Sequence, residues 1–296
     1  MRLLKKLITV GLMVSILLSL AGCGKDENVI KIGHKNYTEA RILGNMFSIM
    51  IENQTSYETT LTELGGTSVC FEALKSEDIH LYPEYTGTGY SVVLKQNTLK
   101  DPEEVYNYCQ EQYNEQYNIT WLKPLGFNNT YTMTVRRDMA EELNLKTISD
   151  LVKHAPNLVI GAEMEFLERS DGLPGLKEVY GIDSFKEEKG MDIGLTYAAL
   201  KEGKIDVNDA YGTDGRIKKL DLVSLEDDKQ FFPPYYSAPL VNEAFMANYP
   251  EAVDALNMLD NQFTDEEMQA LNLLVDEGAD PKQVAEDILR EKGLIQ

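Results

Sequence analysis

The chain is poor in the residues that carry most catalysis. Its 296 residues include three cysteines, three histidines and one tryptophan. It has no Walker-type phosphate loop, GxGxxG, HExxH or GxSxG pattern, which removes the usual residue sets for nucleotide hydrolysis, dinucleotide binding, zinc proteolysis and serine hydrolysis. His34, His80 and His154 stand in unrelated contexts, and neither they nor the cysteines show metal-ligand spacing. No cofactor is therefore expected. Positive charge is also scarce: 28 Lys+Arg stand against 49 Asp+Glu, a formal charge of −21. Such a balance excludes nucleic acid, whose phosphates require a basic footprint. Acidic pairs such as Asp227-Asp228 fall on polar stretches and read as solvated surface.

Long apolar runs are missing except at the start. Arg2, Lys5 and Lys6 precede the uncharged stretch Leu7–Leu20, and Leu20-Ala-Gly-Cys23 follows. This largely apolar run of fourteen residues is too short to span a bilayer and suits a signal peptide. The Leu-Ala-Gly-Cys ending resembles a bacterial lipobox, which predicts a signal peptide over 1–22 and lipidation of Cys23. Cleavage removes three basic residues, leaving 25 against 49 acidic ones, or −24. The tether 23–28 is brief; its five residues after Cys23 reach about 15 Å when extended. The expected location is extracytoplasmic, anchored to the membrane by lipid. Of the remaining cysteines, Cys70 and Cys109, an oxidising exterior permits either a disulfide or two buried thiols.

The periodicity predicts alternating strands and helices. Val29–Gly33, Thr59–Leu64, Ile79–Leu81 and Leu158–Ala162 read as strands, whereas Thr38–Glu52 carries an apolar stripe at helical spacing. Thr67 and Ser68 are placed to cap a helix through Lys75. Thr264-Asp-Glu-Glu267 is a capping box for one of three helices expected over Pro250–Leu259, Thr264–Asp276 and Pro281–Lys292. Trp121–Arg136 reads as a passage into a second lobe, and the aromatic Gln230–Val241 as the return. The expectation is an α/β fold in two lobes: lobe I from 29–130 with 236–296, lobe II from 131–235.

One stretch is echoed. Phe71–Gly89, FEALKSEDIHLYPEYTGTG, matches Tyr197–Gly215, YAALKEGKIDVNDAYGTDG, at six of nineteen positions with an offset of 126. Duplicated half-molecules, or a helix–turn–strand pattern common to both, would give this echo. Each copy carries a matched tyrosine, Tyr85 or Tyr211, near the carboxyl end of a strand, where open α/β sheets bind ligands. Tyr131 and Tyr235 lie in the two crossings, each four residues after a phenylalanine. All four tyrosines are thus placed to reach a cleft between lobes. Such a cluster suits a quaternary ammonium group, which has no N–H for a carboxylate to grip. Ring faces offer apolar contact and quadrupole attraction of about 2 kcal/mol each when desolvated. Four contacts approach about 8 kcal/mol, the scale of a micromolar complex before ordering costs.

The segments IGHKNYTEARILGN, LGGTSVCFEALK, YPEYTGTG, WLKPLGFNNTYTMTVR, AYGTDGRI and LEDDKQFFPPY together resemble the extracytoplasmic substrate-binding proteins of osmoprotectant ABC transporters. This is the glycine betaine/carnitine/choline (OpuBC/OpuCC-like) group, and the similarity runs from about Val29 to the C-terminus. The resemblance implies a two-lobed periplasmic-binding-protein fold, type II-like, that closes on its ligand. It also implies an aromatic cage at Tyr85, Tyr131, Tyr211 and Tyr235, and an ABC permease with its ATPase subunits as partners. The protein is expected to act as a monomer without catalysing a reaction. We expect Tyr85 to stand with Tyr131 on one side of the ligand, and Tyr211 with Tyr235 on the other. Lys35, Thr67, Ser68 and Thr88 are candidate donors to the ligand's carboxylate or hydroxyl, and Lys35 would favour betaines over choline. Asp214 and Arg216 read as a structural pair. The alternative is the same scaffold binding a cationic amino acid or polyamine, whose N–H groups favour carboxylates over rings.

Overall fold

The computed structural model describes residues 28–296; the leader 1–22, Cys23 and the tether as far as residue 27 lie outside the described residues. Val29–Lys35 (β1) opens the first sheet, burying Ile30 and Ile32. It leads through Tyr37 into Thr38–Gln54 (α1), where Ile42, Leu43, Met46, Phe47 and Met50 form one fully buried stripe. Glu58–Gly65 (β2), Thr67–Lys75 (α2) and Leu81–Tyr85 (β3) follow. The chain then makes a short helical turn over Thr86–Thr88 and a π-helical segment over Gly89–Val93. Pro102–Tyr117 (α3) is capped by Asp101, whose carboxylate accepts from the Glu103 and Glu104 N–H groups, and Ile119–Trp121 (β4) ends this half.

After a crossing, Tyr131–Arg136 (β5) starts the second sheet, followed by Val159–Ala162 (β6), Met164–Glu168 (α4) and Leu173–Tyr180 (α5). Glu187–Gly190 (β7), Ile193–Lys201 (α6), Val207–Tyr211 (β8) and Leu222–Leu225 (β9) complete it. The chain returns as Ser237–Asn242 (β10) and ends with Pro250–Asn257 (α7), Asp265–Asp276 (α8) and Pro281–Glu291 (α9). The capping box read from Thr264 and Glu267 is formed, with both reciprocal bonds present. Thr67 and Ser68 do not cap α2: Gly66 is the cap residue, and no side chain bonds there.

The two sheets follow one plan. Their strand orders are β2-β1-β3-β10-β4 and β7-β6-β8-β5-β9. In each, three parallel strands are joined by an antiparallel strand entering from the other lobe, β10 beside β3 and β5 beside β8. The sequence echo maps onto this plan at the same offset of 126, since α2 corresponds to α6 and β3 to β8 end for end. Its matched aromatic and aliphatic positions lie in equivalent places. Phe71, Leu74 and Ile79 are buried in a side core of lobe I, and Tyr197, Leu200 and Ile205 in a side core of lobe II. Cys70 and Cys109 are buried, unpaired thiols in the first of these cores.

The two crossings run side by side. Asn128 and Tyr236 form an antiparallel bridge, and the Asn129 N–H donates to the Tyr235 carbonyl at 3.0 Å. Each crossing strand therefore begins opposite the carboxyl end of an echoed strand: Tyr131 pairs with Tyr211, and Ser237 with Tyr85. The fold delivers the tyrosines to one place for this reason.

Candidate ligand-binding site

Between the lobes lies a narrow cavity of about 30 Å³, lined by Tyr37, Tyr85, Tyr131, Tyr211 and Tyr235 with Asn129, Thr88, Lys35 and Arg169. The Tyr131 ring is central. It stands 5.0 Å from Tyr211, 5.5 Å from Tyr235 in an edge-on arrangement, and 5.0 and 5.7 Å from Phe166 and Phe232 behind it. Tyr37, from the loop after β1, stacks on Tyr211 at 6.2 Å and 15°, closing the cavity across the lobes. The Tyr235 ring is seated against the Gly87 backbone. A Cβ there would stand 2.6 Å from the ring and 2.8 Å from the Pro234 carbonyl, so only glycine fits.

Three of these phenols donate to buried or half-buried carboxylates. The Tyr85 hydroxyl donates to Glu39 at 2.7 Å, that of Tyr235 to Asp171 at 2.6 Å, and that of Tyr211 to Glu163. Burial pushes all five tyrosines above the usual phenol range, so the rings stay neutral and the hydroxyls keep their protons. Glu39 also accepts from Asn129, Thr213 and Asn272, tying both lobes and the C-terminal helices to one carboxylate. Asp171 is shared with Arg169, whose two bonds to it measure 2.8 and 2.6 Å.

The tyrosines expected from the sequence do meet, but their grouping differs from the expected one. Tyr131 stands beside Tyr211 on lobe II, because β5 and β8 are hydrogen-bonded neighbours in register at those residues. Tyr85 and Tyr37 face them from lobe I, and Tyr235 bridges, packed on Gly87 of lobe I and bonded to Asp171 of lobe II. Tyr85 and Tyr211 are the last residues of their strands; the expected strand Ile79–Leu81 begins and ends later, at Leu81–Tyr85.

The donors fall in different places. Lys35 lines the cavity but forms a 2.6 Å ion pair with Glu84, both buried, while Glu84 also accepts from the Tyr82 hydroxyl and the Tyr85 N–H. Thr88 lines it as well, and accepts from Arg169 at 3.3 Å. Thr67 and Ser68 do not line it; they border a wider cleft of about 970 Å³ alongside, which shares Glu165 and Arg169 with the cavity. There the Thr67 N–H donates to Glu165 of lobe II at 3.2 Å, and the Thr67 hydroxyl has no partner. Asp214 and Arg216 form the structural pair expected, with Arg216 also 3.2 Å from Asp276 and 4.2 Å over the Tyr197 ring.

Sequence reasoning passed over Tyr37, Asn129, Glu39, Glu163, Arg169 and Asp171. Tyr37 had a usable signal, an aromatic immediately past the carboxyl end of a strand. Glu39 carried another, an acid within the buried stripe of α1. Nothing local marks Arg169, whose role depends on the approach of the other lobe.

A profile for the OpuAC family, the substrate binding domain of the ABC-type glycine betaine transport system, matches residues 28–291. The chain belongs to this family. OpuAC-type proteins are extracytoplasmic substrate-binding components of ABC transport systems, which is a transport class and not an enzyme class. The carnitine transport binding protein OpuCC of Listeria monocytogenes is 35% identical over 283 residues, covering 94% of this chain and 92% of that one. The ergothioneine transport permease/ergothioneine binding protein EgtU of Helicobacter pylori is 36% identical over 274 residues. That match takes in 91% of this chain, which spans about half, 48%, of the EgtU length. A crystal structure described as a glycine betaine/carnitine/choline ABC transporter superposes with a TM-score of 0.74 at 34% identity, over 90% of this chain and 100% of the other. Among the described residues no helix is long and apolar enough to cross a membrane.

Proposed function

We propose that this OpuAC-type chain captures a small quaternary ammonium solute of the glycine betaine, carnitine or choline kind in the tyrosine cavity. Lobe closure then presents the loaded protein to an ABC permease and its ATPase subunits. The observation that carries this reading is the convergence of five neutral tyrosine rings from both lobes on one narrow space. Ring faces hold a methylated cation by contact and quadrupole attraction, and excluding water strengthens the second term. The relative named as a carnitine transport binding protein and the betaine-transport family point the same way. The cavity is walled by residues of both lobes, so closing the lobes completes it, and closure is the state a permease can distinguish from the open one.

The wider cleft beside Arg169 supports extending the ligand range to betaines with larger bodies, and the relative named as an ergothioneine binding protein is the reason to include ergothioneine in the test panel. A cationic amino acid or polyamine finds less here: Glu165, the carboxylate that reaches the cavity's edge, is held by the Thr67 N–H and lies 3.7 Å from Arg169. Calorimetric titration with glycine betaine, carnitine, choline, ergothioneine, arginine and spermidine tests the reading. Quaternary ligands should bind, and arginine and spermidine should not; the reverse order overturns it. Lipid anchoring through Cys23 is part of the same proposal. Cys23→Ala should move the protein from the membrane fraction to the medium, and continued membrane retention would count against the anchor.

A further inference from the structure

The cavity walls carry charged groups of both signs, but most cancel locally. Lys35 is paired with Glu84, and Arg169 with Asp171. Two acidic positions behind the tyrosines are not cancelled this way. In lobe I, Glu39 is 3% exposed and accepts from Tyr85, Asn129, Thr213 and Asn272 at 2.6–2.8 Å; every partner is a neutral donor and none is a cation. Burial pushes Glu39 up from the usual carboxylate range, and its four hydrogen-bond donors, which favour the ionised form, oppose that rise. In lobe II, Glu163 accepts from Tyr211, and its own N–H points at the fully buried Asp209 at 3.3 and 3.4 Å. Burial, and then the charge of Glu163, push Asp209 well above the usual carboxylate range, and burial raises Glu163 as well. The Arg169 guanidinium lies near Glu163, but its hydrogen bonds go to Asp171 and Thr88.

We propose that these two carboxylate sites, Glu39 behind Tyr85 and the Glu163–Asp209 pair behind Tyr211, are positioning and charge-selecting groups that make the cavity choose a cationic ligand over an uncharged one of the same shape. They sit one tyrosine away from the cavity, one on each lobe. A phenol that donates to a carboxylate has its ring held in one orientation and its face made more electron-rich, so the ring attracts a cation more strongly. The carboxylates also add a direct field that the intervening ring does not screen as water would. Neither acid needs to touch the ligand, so a quaternary nitrogen gains electrostatic attraction without a hydrogen bond that it cannot make.

This inference rests on the quaternary ammonium reading above, and the experiment separates the two. Choline and its carbon isostere, dimethylbutanol, differ in charge and hardly in shape. Their affinities are measured by calorimetry for the wild-type chain and for Glu163→Gln/Asp209→Asn, which neutralises the pair whichever member carries the charge. The introduced glutamine amide still offers an acceptor to Tyr211, and thermal melting checks that the variant folds. The choline-to-dimethylbutanol affinity ratio should fall at least about tenfold, with dimethylbutanol binding altered less than about threefold. A purely structural role would weaken both ligands together and leave the ratio unchanged, which overturns the proposal. If the double variant does not fold, the same ratio in Glu39→Gln decides, with the same two outcomes. If the wild-type chain binds neither choline nor any other quaternary ligand, the functional reading itself fails. If it binds them with unaltered ratios in the folded variants, only this inference fails.

Discussion

In lobe I, β3 ends at Tyr85, with the buried Lys35–Glu84 ion pair behind it and the Lys35 ammonium 5.6 Å from the Tyr85 ring. In lobe II, β8 ends at the equivalent Tyr211, but its neighbour is Tyr131, backed by Phe166 and Phe232. One strand-end position, repeated 126 residues apart, thus carries a polar wall built on a buried ion pair on one side and a continuous aromatic wall on the other. The difference implies a division of labour. We propose that the aromatic wall supplies most of the attraction for a methylated cation, and that the polar wall orders the closing lobe. A shared backbone plan fixes where a ligand can sit, while the residues beside each strand end decide what each half contributes.

This comparison can be broken at several points. The largest effect belongs to the lobe I pair. Glu84→Ala leaves the Lys35 ammonium buried without its partner and should cost about 3–5 kcal/mol of stability by denaturant unfolding. A loss below about 1 kcal/mol would show that the polar wall is not held by that pair. Next comes Tyr131→Ala, which removes the central ring and should weaken the best quaternary ligand about 100-fold. Tyr85→Ala should cost about tenfold in the same titration. Reversal of those two magnitudes would invert the assignment of roles to the lobes.

Gly87→Ala is a subtler perturbation. The added methyl cannot be accommodated 2.8 Å from the Pro234 carbonyl, so Tyr235 must shift, and we expect a loss of about three- to tenfold in affinity with the other rings in place. Smallest is the effect of removing the Lys35–Glu84 charges together. Lys35→Gln/Glu84→Gln leaves no lone buried charge and should move the betaine-to-choline affinity ratio about threefold toward choline if Lys35 also attracts the ligand's carboxylate. An unchanged ratio would leave Lys35 with the structural pairing alone.

The parts legible in the sequence were those that depend on local pattern. Apolar periodicity located α1, the capping box located the start of α8, and the echo anticipated that α2–β3 and α6–β8 would be equivalent. Tyrosines near strand ends were readable because in these sheets a strand end is also a cavity edge. What could not be read depends on partners distant in the chain. Tyr131 joined Tyr211 because β5 pairs antiparallel with β8, a register that neither segment displays alone. Lys35 reads as a candidate ligand donor, but its ion pair was not legible, because Glu84 is 49 residues away and the parallel pairing of β1 with β3 brings the two together. Thr67 looked like a helix cap, yet Gly66 takes that role, and the Thr67 N–H meets Glu165 only across the lobes. Glu163 was hidden by the chain's abundance of acid, in which one more carboxylate cannot be told from the many solvated ones.

The central claim is that rings from both lobes close on one methylated nitrogen. A crystal structure of the chain with the tightest-binding member of the ligand panel tests it most directly. The account predicts the quaternary nitrogen within about 6 Å of the ring centroids of Tyr85, Tyr131, Tyr211 and Tyr235, with the Glu39 and Glu163 bonds to the phenols intact. A ligand lodged in the wider cleft beside Thr67, with those rings closed on each other and empty of it, would contradict the account.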